Sequence, residues 1–160
     1  MRVLTTFYNG LIQAGNKSQV VILAIALLAL RIIWGFEFFQ SGLGKWHDMP
    51  GVIKYFSSLN IPMASFNAYF VGTLELVGGL LLLVGLCSRL AALLLALTMM
   101  VAYATAHMNA VKALFSDPTL FVKQDPFWFL VTALFVFAFG PGIFSIDVLL
   151  KRYVFKGSKK

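Results

Sequence analysis

"LALRIIWGFEFFQSGLGKWHD", residues 28–48, is an apolar run long enough to approach a bilayer's width, yet it contains Arg31 and Glu37 and ends in Lys45, Trp46, His47 and Asp48. Whether these charges belong to a spanning helix or to the end of one decides the fold. Composition answers first. The 160 residues are 60% hydrophobic and 12% charged, with mean hydropathy +0.87, where a soluble domain is about half apolar and a quarter charged. The chain is therefore predicted to be an all-α, polytopic membrane protein.

Working outward, a span needs about 20 mostly apolar residues, because the hydrocarbon core is about 30 Å thick and a helix rises about 1.5 Å per residue. Four stretches suggest themselves: Val20 to Ser41, Asn67 to Leu86, Leu90 to His107, and Pro126 to Phe139 with continuation towards Leu150. Gly140-Pro141-Gly142 marks a kink or an end in the fourth. The expected architecture is a four-transmembrane-helix bundle over 20–150, preceded by an amphipathic interfacial segment at 1–19 and followed by a basic tail at 151–160. A second short amphipathic helix is expected in "DMPGVIKYFSSLNIP", residues 48–62, with Asp48 or Met49 as its cap and Pro50 in its first turn. The first span is no ordinary signal peptide: it starts late, is too long and carries Arg31 and Glu37.

The formal charge is +7, and Lys151, Arg152, Lys156, Lys159 and Lys160 follow the last apolar segment. Basic residues in that position are attracted to anionic lipid head groups, so the partner is the lipid bilayer and nucleic acid is excluded. With four spans both termini share a side. Eight Lys and Arg on the terminal side, against Lys45, Lys54, Lys112 and Lys123 on the other, place both termini in the cytoplasm. The single cysteine, Cys87, rules out an intrachain disulfide, a CxxC pair or a cysteine-rich metal site.

Charges inside spans must be solvated, since each costs at least about 2.5 to 3.5 kcal/mol at the bilayer centre. Arg31, Gly35, Phe38, Gly42 and Lys45 form one face of the first span; Ala68, Gly72, Glu75 and Gly79 form one face of the second. Small residues let backbones approach, so these faces are expected to pack together. With the first span ending at Ser41, Arg31 and Glu75 fall at about the same depth, about 12 to 15 Å, and a buried Arg31–Glu75 ion pair is predicted. Two roles for it stay open: fixing helix register, or marking a ligand or proton path.

On the third span Tyr103 and His107 share a face. If it points inward, Glu37, Lys45, Glu75, Tyr103 and His107, with His47 as a further candidate, converge at the outer mouth of the bundle. No HxxxH or ExxH spacing supports a metal site there, and no Ser-His-Asp arrangement, phosphate-binding glycine loop or nucleotide fingerprint occurs. Tyr103, His107 and a carboxylate in an apolar slot instead suit a quinone or similar redox ligand, although a Tyr and a His at a helix end also serve as interfacial anchors.

Taken together, "LALRIIWGFEFFQSGLGKW", "TLELVGGLLLLVGLCSRLAALLLALTM" and "FAFGPGIFSID" resemble the DoxX family of small bacterial inner-membrane proteins. The likeness lies in Arg31, Gly35, Gly42 and Lys45, then Glu75, Gly78, Gly79 and Gly85, then Arg89, and finally the Gly140-Pro-Gly turn with Ser145 and Asp147. It implies a multi-pass inner-membrane bundle with a link to quinone-dependent redox chemistry, because relatives are described as subunits of thiosulfate:quinone oxidoreductase or as membrane parts of oxidative-stress complexes. The ligand-binding candidates are Arg31, Glu37, Lys45, Glu75, Tyr103 and His107. No cofactor is built in; quinone would be a bound ligand, and a redox or periplasmic protein or a second copy a partner. The alternative is a non-enzymatic scaffold or assembly factor.

Overall fold

The computed structural model describes residues 2–153, with side chains from residue 19 onward. Eight helices and no strand occur among the described residues: α1 (Arg2–His47), α2 (Met49–Ser58), α3 (Ala64–Val84), α4 (Ser88–Ala106), α5 (Met108–Lys112), α6 (Pro118–Val122), α7 (Pro126–Phe139) and α8 (Ile146–Tyr153). Three are long and apolar enough to cross a membrane: Gln19–His47 within α1, α3 and α4. Helix α7 is as apolar but has 14 residues, about 21 Å at the α-helical rise. Pro126 opens it, and Gly140, at φ +80°, closes it.

Helix α1 does not stop at Ser41. It continues to His47 because nothing before Asp48 breaks it; Asp48 instead caps α2, accepting from the Gly51 N–H at 3.1 Å, with Pro50 in the first turn as expected.

Helices α1 and α3 pack antiparallel in the most extensive contact of the bundle, and α4 pairs with α7. The α1–α3 seam is the one anticipated from the small residues. Gly35 faces Gly79 and Leu83, and Gly42 faces Gly72 and Leu76; a Cβ on Gly42 would run into the Leu76 backbone. The core between the layers is Phe38, Leu82, Ala92, Leu95, Ala96, Met99, Ala133 and Val136.

Candidate functional site

The seam's register separates Arg31 from Glu75. Since Gly42 lies beside Leu76, Glu75 lies opposite Ser41 and Lys45, whereas Arg31 lies opposite the last turn of α3. The predicted Arg31–Glu75 pair does not form. Lys45 takes the carboxylate instead, in the one ion pair found among the described residues. The cause is the register of the glycine contacts: with Gly42 beside Leu76, Arg31 lies eleven residues further down α1, about 16 Å from the level of Glu75.

Arg31, 1% exposed, is satisfied by backbone alone. Its Nε donates to Leu82 O (2.8 Å) and Nη2 to Leu83 O (3.1 Å), while Nη1 donates to Pro141 O and to Phe144 O (2.9 Å). The guanidinium thus sits at the negative end of α3, on carbonyls that have no intrahelical partner, and ties them to the Gly140-Pro141-Gly142 turn. Gly85, at φ +73°, has no side chain where the guanidinium packs. The following residues complete the closure: Asp147 accepts from the Cys87 (2.8 Å) and Ser88 (3.0 Å) N–H groups at the start of α4, and its own N–H donates to Gly85 O (2.9 Å).

At the other end, Glu75 is 3% exposed and its partners are side chains. Ser41 Oγ donates to Glu75 Oε2 at 3.0 Å; Lys45 Nζ donates to Ser41 Oγ at 2.8 Å and pairs with the same carboxylate oxygen. This triad lies on the wall of a recess of about 740 Å³ bounded by α1, α2, α3, α4 and the start of α7. Its walls are mainly apolar, including Phe56, Leu59, Phe70, Leu74, Leu97, Met99 and Phe129, with His107, Asn67, Tyr55 and Asp125 as further polar groups. The size falls within the usual range for small-ligand sites, about 300 to 1,000 Å³.

A second recess, about 800 Å³, opens between α1 and α7 and is far richer in polar groups: Glu37, Gln40, Ser41, Lys123, Gln124 and Asp125, with Trp34 and Trp128 stacked at 6.3 Å. Ser41, Asp125 and Phe129 line both recesses.

Of the six candidates, Lys45, Glu75 and His107 thus border one recess and Glu37 the adjoining one. Arg31 is at the opposite end. Tyr103 turns away from both: its hydroxyl donates to Phe121 O at 2.8 Å and its ring stacks on Phe121 at 4.3 Å, so it secures α6. His47 is also apart, with Nδ1 within 2.8 Å of Leu43 O. The residue missed in the sequence is Ser41. Its signal was its place one turn before Lys45 and one turn after Glu37.

No three His, Cys, Asp or Glu side chains gather as a metal site among the described residues. The lining does fit a flat apolar ring bearing carbonyl oxygens, since Lys45 and His107 offer hydrogen bonds from a mainly apolar wall.

The DoxX family model matches residues 26–108, the stretch holding both Arg31 and the Lys45–Ser41–Glu75 triad. A Bacillus subtilis (strain 168) protein named "Putative oxidoreductase CatD" is 34% identical over 135 residues, covering 84% of this chain and 91% of that protein. An uncharacterized protein of Haemophilus influenzae is 28% identical over 140 residues, covering 85% of this chain and 90% of its own. An uncharacterized membrane protein of Mycobacterium tuberculosis is 29% identical over 140 residues, covering 79% and 82% respectively. No solved structure matches significantly.

Proposed function

This chain belongs to the DoxX family, and from that premise we propose that it is a membrane subunit of a quinone-linked oxidoreductase system, holding an apolar redox ligand in the recess beside Lys45, Ser41 and Glu75. The observation that carries the reading is the placement of a buried, side-chain-satisfied carboxylate and an ammonium on the wall of a mainly apolar recess. Charges in such surroundings are costly to keep. The name of the Bacillus subtilis relative adds an oxidoreductase association.

In this reading the protein lies in a bacterial inner membrane with both termini cytoplasmic, α7 completes a four-span bundle, and the recess opens towards the periplasmic side. A quinone supplies two-electron, two-proton carrier chemistry when bound; the electrons come from a redox protein partner. The chain's own residues bind and orient: Lys45 donates its remaining N–H towards a carbonyl oxygen while Ser41 gives its single proton to Glu75 and holds that carboxylate in place, His107 offers a second polar contact, and the apolar walls exclude water.

The test is titration of decylubiquinone into the protein in lipid nanodiscs, followed by quenching of tryptophan fluorescence. The expected result is saturable one-to-one binding, weakened about tenfold, or about 1.4 kcal/mol, by Glu75→Gln. Absence of saturable binding by wild type removes the proposal. In that case, loss of complex assembly in proportion to loss of stability in Glu75→Gln identifies a scaffold.

A further inference from the structure

The two recesses differ in character and share a wall lined by Ser41, Asp125 and Phe129, of which Ser41 is the one hydrogen-bonded to Glu75. On one side is the apolar recess with Glu75; on the other is a recess bordered by Glu37, Gln40, Lys123, Gln124 and Asp125. Water and ions dwell beside the second set far more readily than in the first. Ser41 Oγ already donates to Glu75 Oε2 at 3.0 Å. Glu37 is exposed, has no ion pair among the described residues, and lies one helical turn before Ser41 on the same stripe of α1. That spacing puts their Cβ atoms about 5 to 6 Å apart, a gap one water bridges.

We infer that Glu37 and Ser41 form a proton-exchange route from the polar recess to Glu75 on the wall of the apolar one. A proton leaves the Glu37 carboxyl for Ser41 Oγ, directly or through one water, while the Ser41 hydroxyl proton passes to Glu75 Oε2. Ser41 ends neutral with one hydrogen exchanged, Glu37 ends as carboxylate, Glu75 ends as carboxylic acid, and no electron moves. The reverse sequence discharges Glu75.

The groups facing this route are Lys45, which pairs with Glu75 from α1; His107 at the end of α4; Tyr55 on α2; Asp125 before α7, at both recesses; and Lys123, on the Glu37 side. Protonation of Glu75 transiently leaves the Lys45 ammonium to other acceptors, Ser41 among them. A hydroxyl that both accepts from Lys45 and donates to Glu75 is suited to follow that change. As a role for the proposed ligand recess, the route rests on the ligand-binding reading for its purpose, but the proton transfer itself requires no ligand.

The experiment is a pH jump on ligand-free protein in nanodiscs, followed by time-resolved infrared absorption of the Glu75 carboxyl, with the band assigned by its loss in Glu75→Gln. Ser41→Ala is expected to slow protonation at least tenfold with its final extent little changed, Glu37→Gln to slow it several-fold, and Ser41→Thr to restore the rate. Wild-type kinetics in both Ser41→Ala and Glu37→Gln, or no Glu75 protonation at any accessible pH, overturns the route. If Ser41→Ala fails to fold, the exposed Glu37→Gln carries the test alone, slowed kinetics supporting the route and unchanged kinetics overturning it. Failure of decylubiquinone to bind would leave these kinetics untouched, so the two proposals fail separately.

Discussion

Arg31 and Glu75 are both buried charges on the α1–α3 seam, and they are solvated in opposite ways. Arg31 hydrogen-bonds to four backbone carbonyls, from the end of α3 and from the segment after α7. Glu75 accepts from two side chains, Ser41 and Lys45, on the wall of a recess. A charge held by backbone is fixed by the fold and in turn fixes it, because its partners cannot change rotamer. A charge held by side chains beside an open volume can exchange partners for a ligand or a proton. On the proposed reading, the difference puts architecture at the Gly85 end and ligand chemistry at the Lys45 end.

The largest expected effect breaks the architectural end. Arg31→Met removes the donors of four carbonyls, and each buried unsatisfied group costs about 1 to 3 kcal/mol. Folded yield in detergent should collapse, with Arg31→Lys intermediate because one ammonium cannot span both carbonyl sets. An Arg31→Met protein that melts at the wild-type temperature would dissolve the distinction. Next in size is Asp147→Ala, which strips the carboxylate from the first N–H groups of α4. Loss of a cap costs about 1 kcal/mol, so the melting temperature should fall by about 2 to 4 °C while ligand affinity at the far recess stays the same.

The smallest effect lies outside both ends. The Thr119 hydroxyl, hydrogen-bonded to the Asp117 carboxylate, holds that exposed group below the usual carboxylate range, helped by the Thr119 and Leu120 backbone N–H groups. Its folded value is depressed, so the cap on α6 is fully present above the ordinary carboxylate value and is lost as pH falls through the folded one. The Thr119 amide resonance should shift in that acid window, with little change in global melting. A pH-independent resonance would remove the cap.

The sequence made the α1–α3 seam legible because glycines at helical spacing have one strong use in a membrane, close backbone approach. Asp48-Met49-Pro50 was legible as a helix start for a similarly local reason. The register was not. A first span measured to Ser41 places Arg31 and Glu75 at one depth, whereas α1 runs on to His47 and the glycine contacts bring Lys45, not Arg31, within reach of Glu75. Arg31 was misassigned because matching charged side chains ignores carbonyls, which carry no sequence label; Gly85 and Gly140-Pro141-Gly142 were the only hint that bare backbone gathers there. Tyr103 and His107 shared a helix face as expected, but α6 captures the Tyr103 hydroxyl. Asp117 before α6 and Pro118 opening it have the form of a capped helix start that could have been read.

The most direct test of the division between the two ends is a paired measurement on Arg31→Lys and Glu75→Gln: melting temperature in nanodiscs alongside decylubiquinone affinity. Lys45 keeps a side-chain exposure of 23% against 4% for Glu75, and an amide at position 75 still accepts from Ser41, so Glu75→Gln should lower the melting temperature less than Arg31→Lys does. The expected outcome is a large melting loss with near-normal affinity for Arg31→Lys, and a small melting loss with about tenfold weaker affinity for Glu75→Gln. Parallel losses of stability and affinity in both variants would contradict the account.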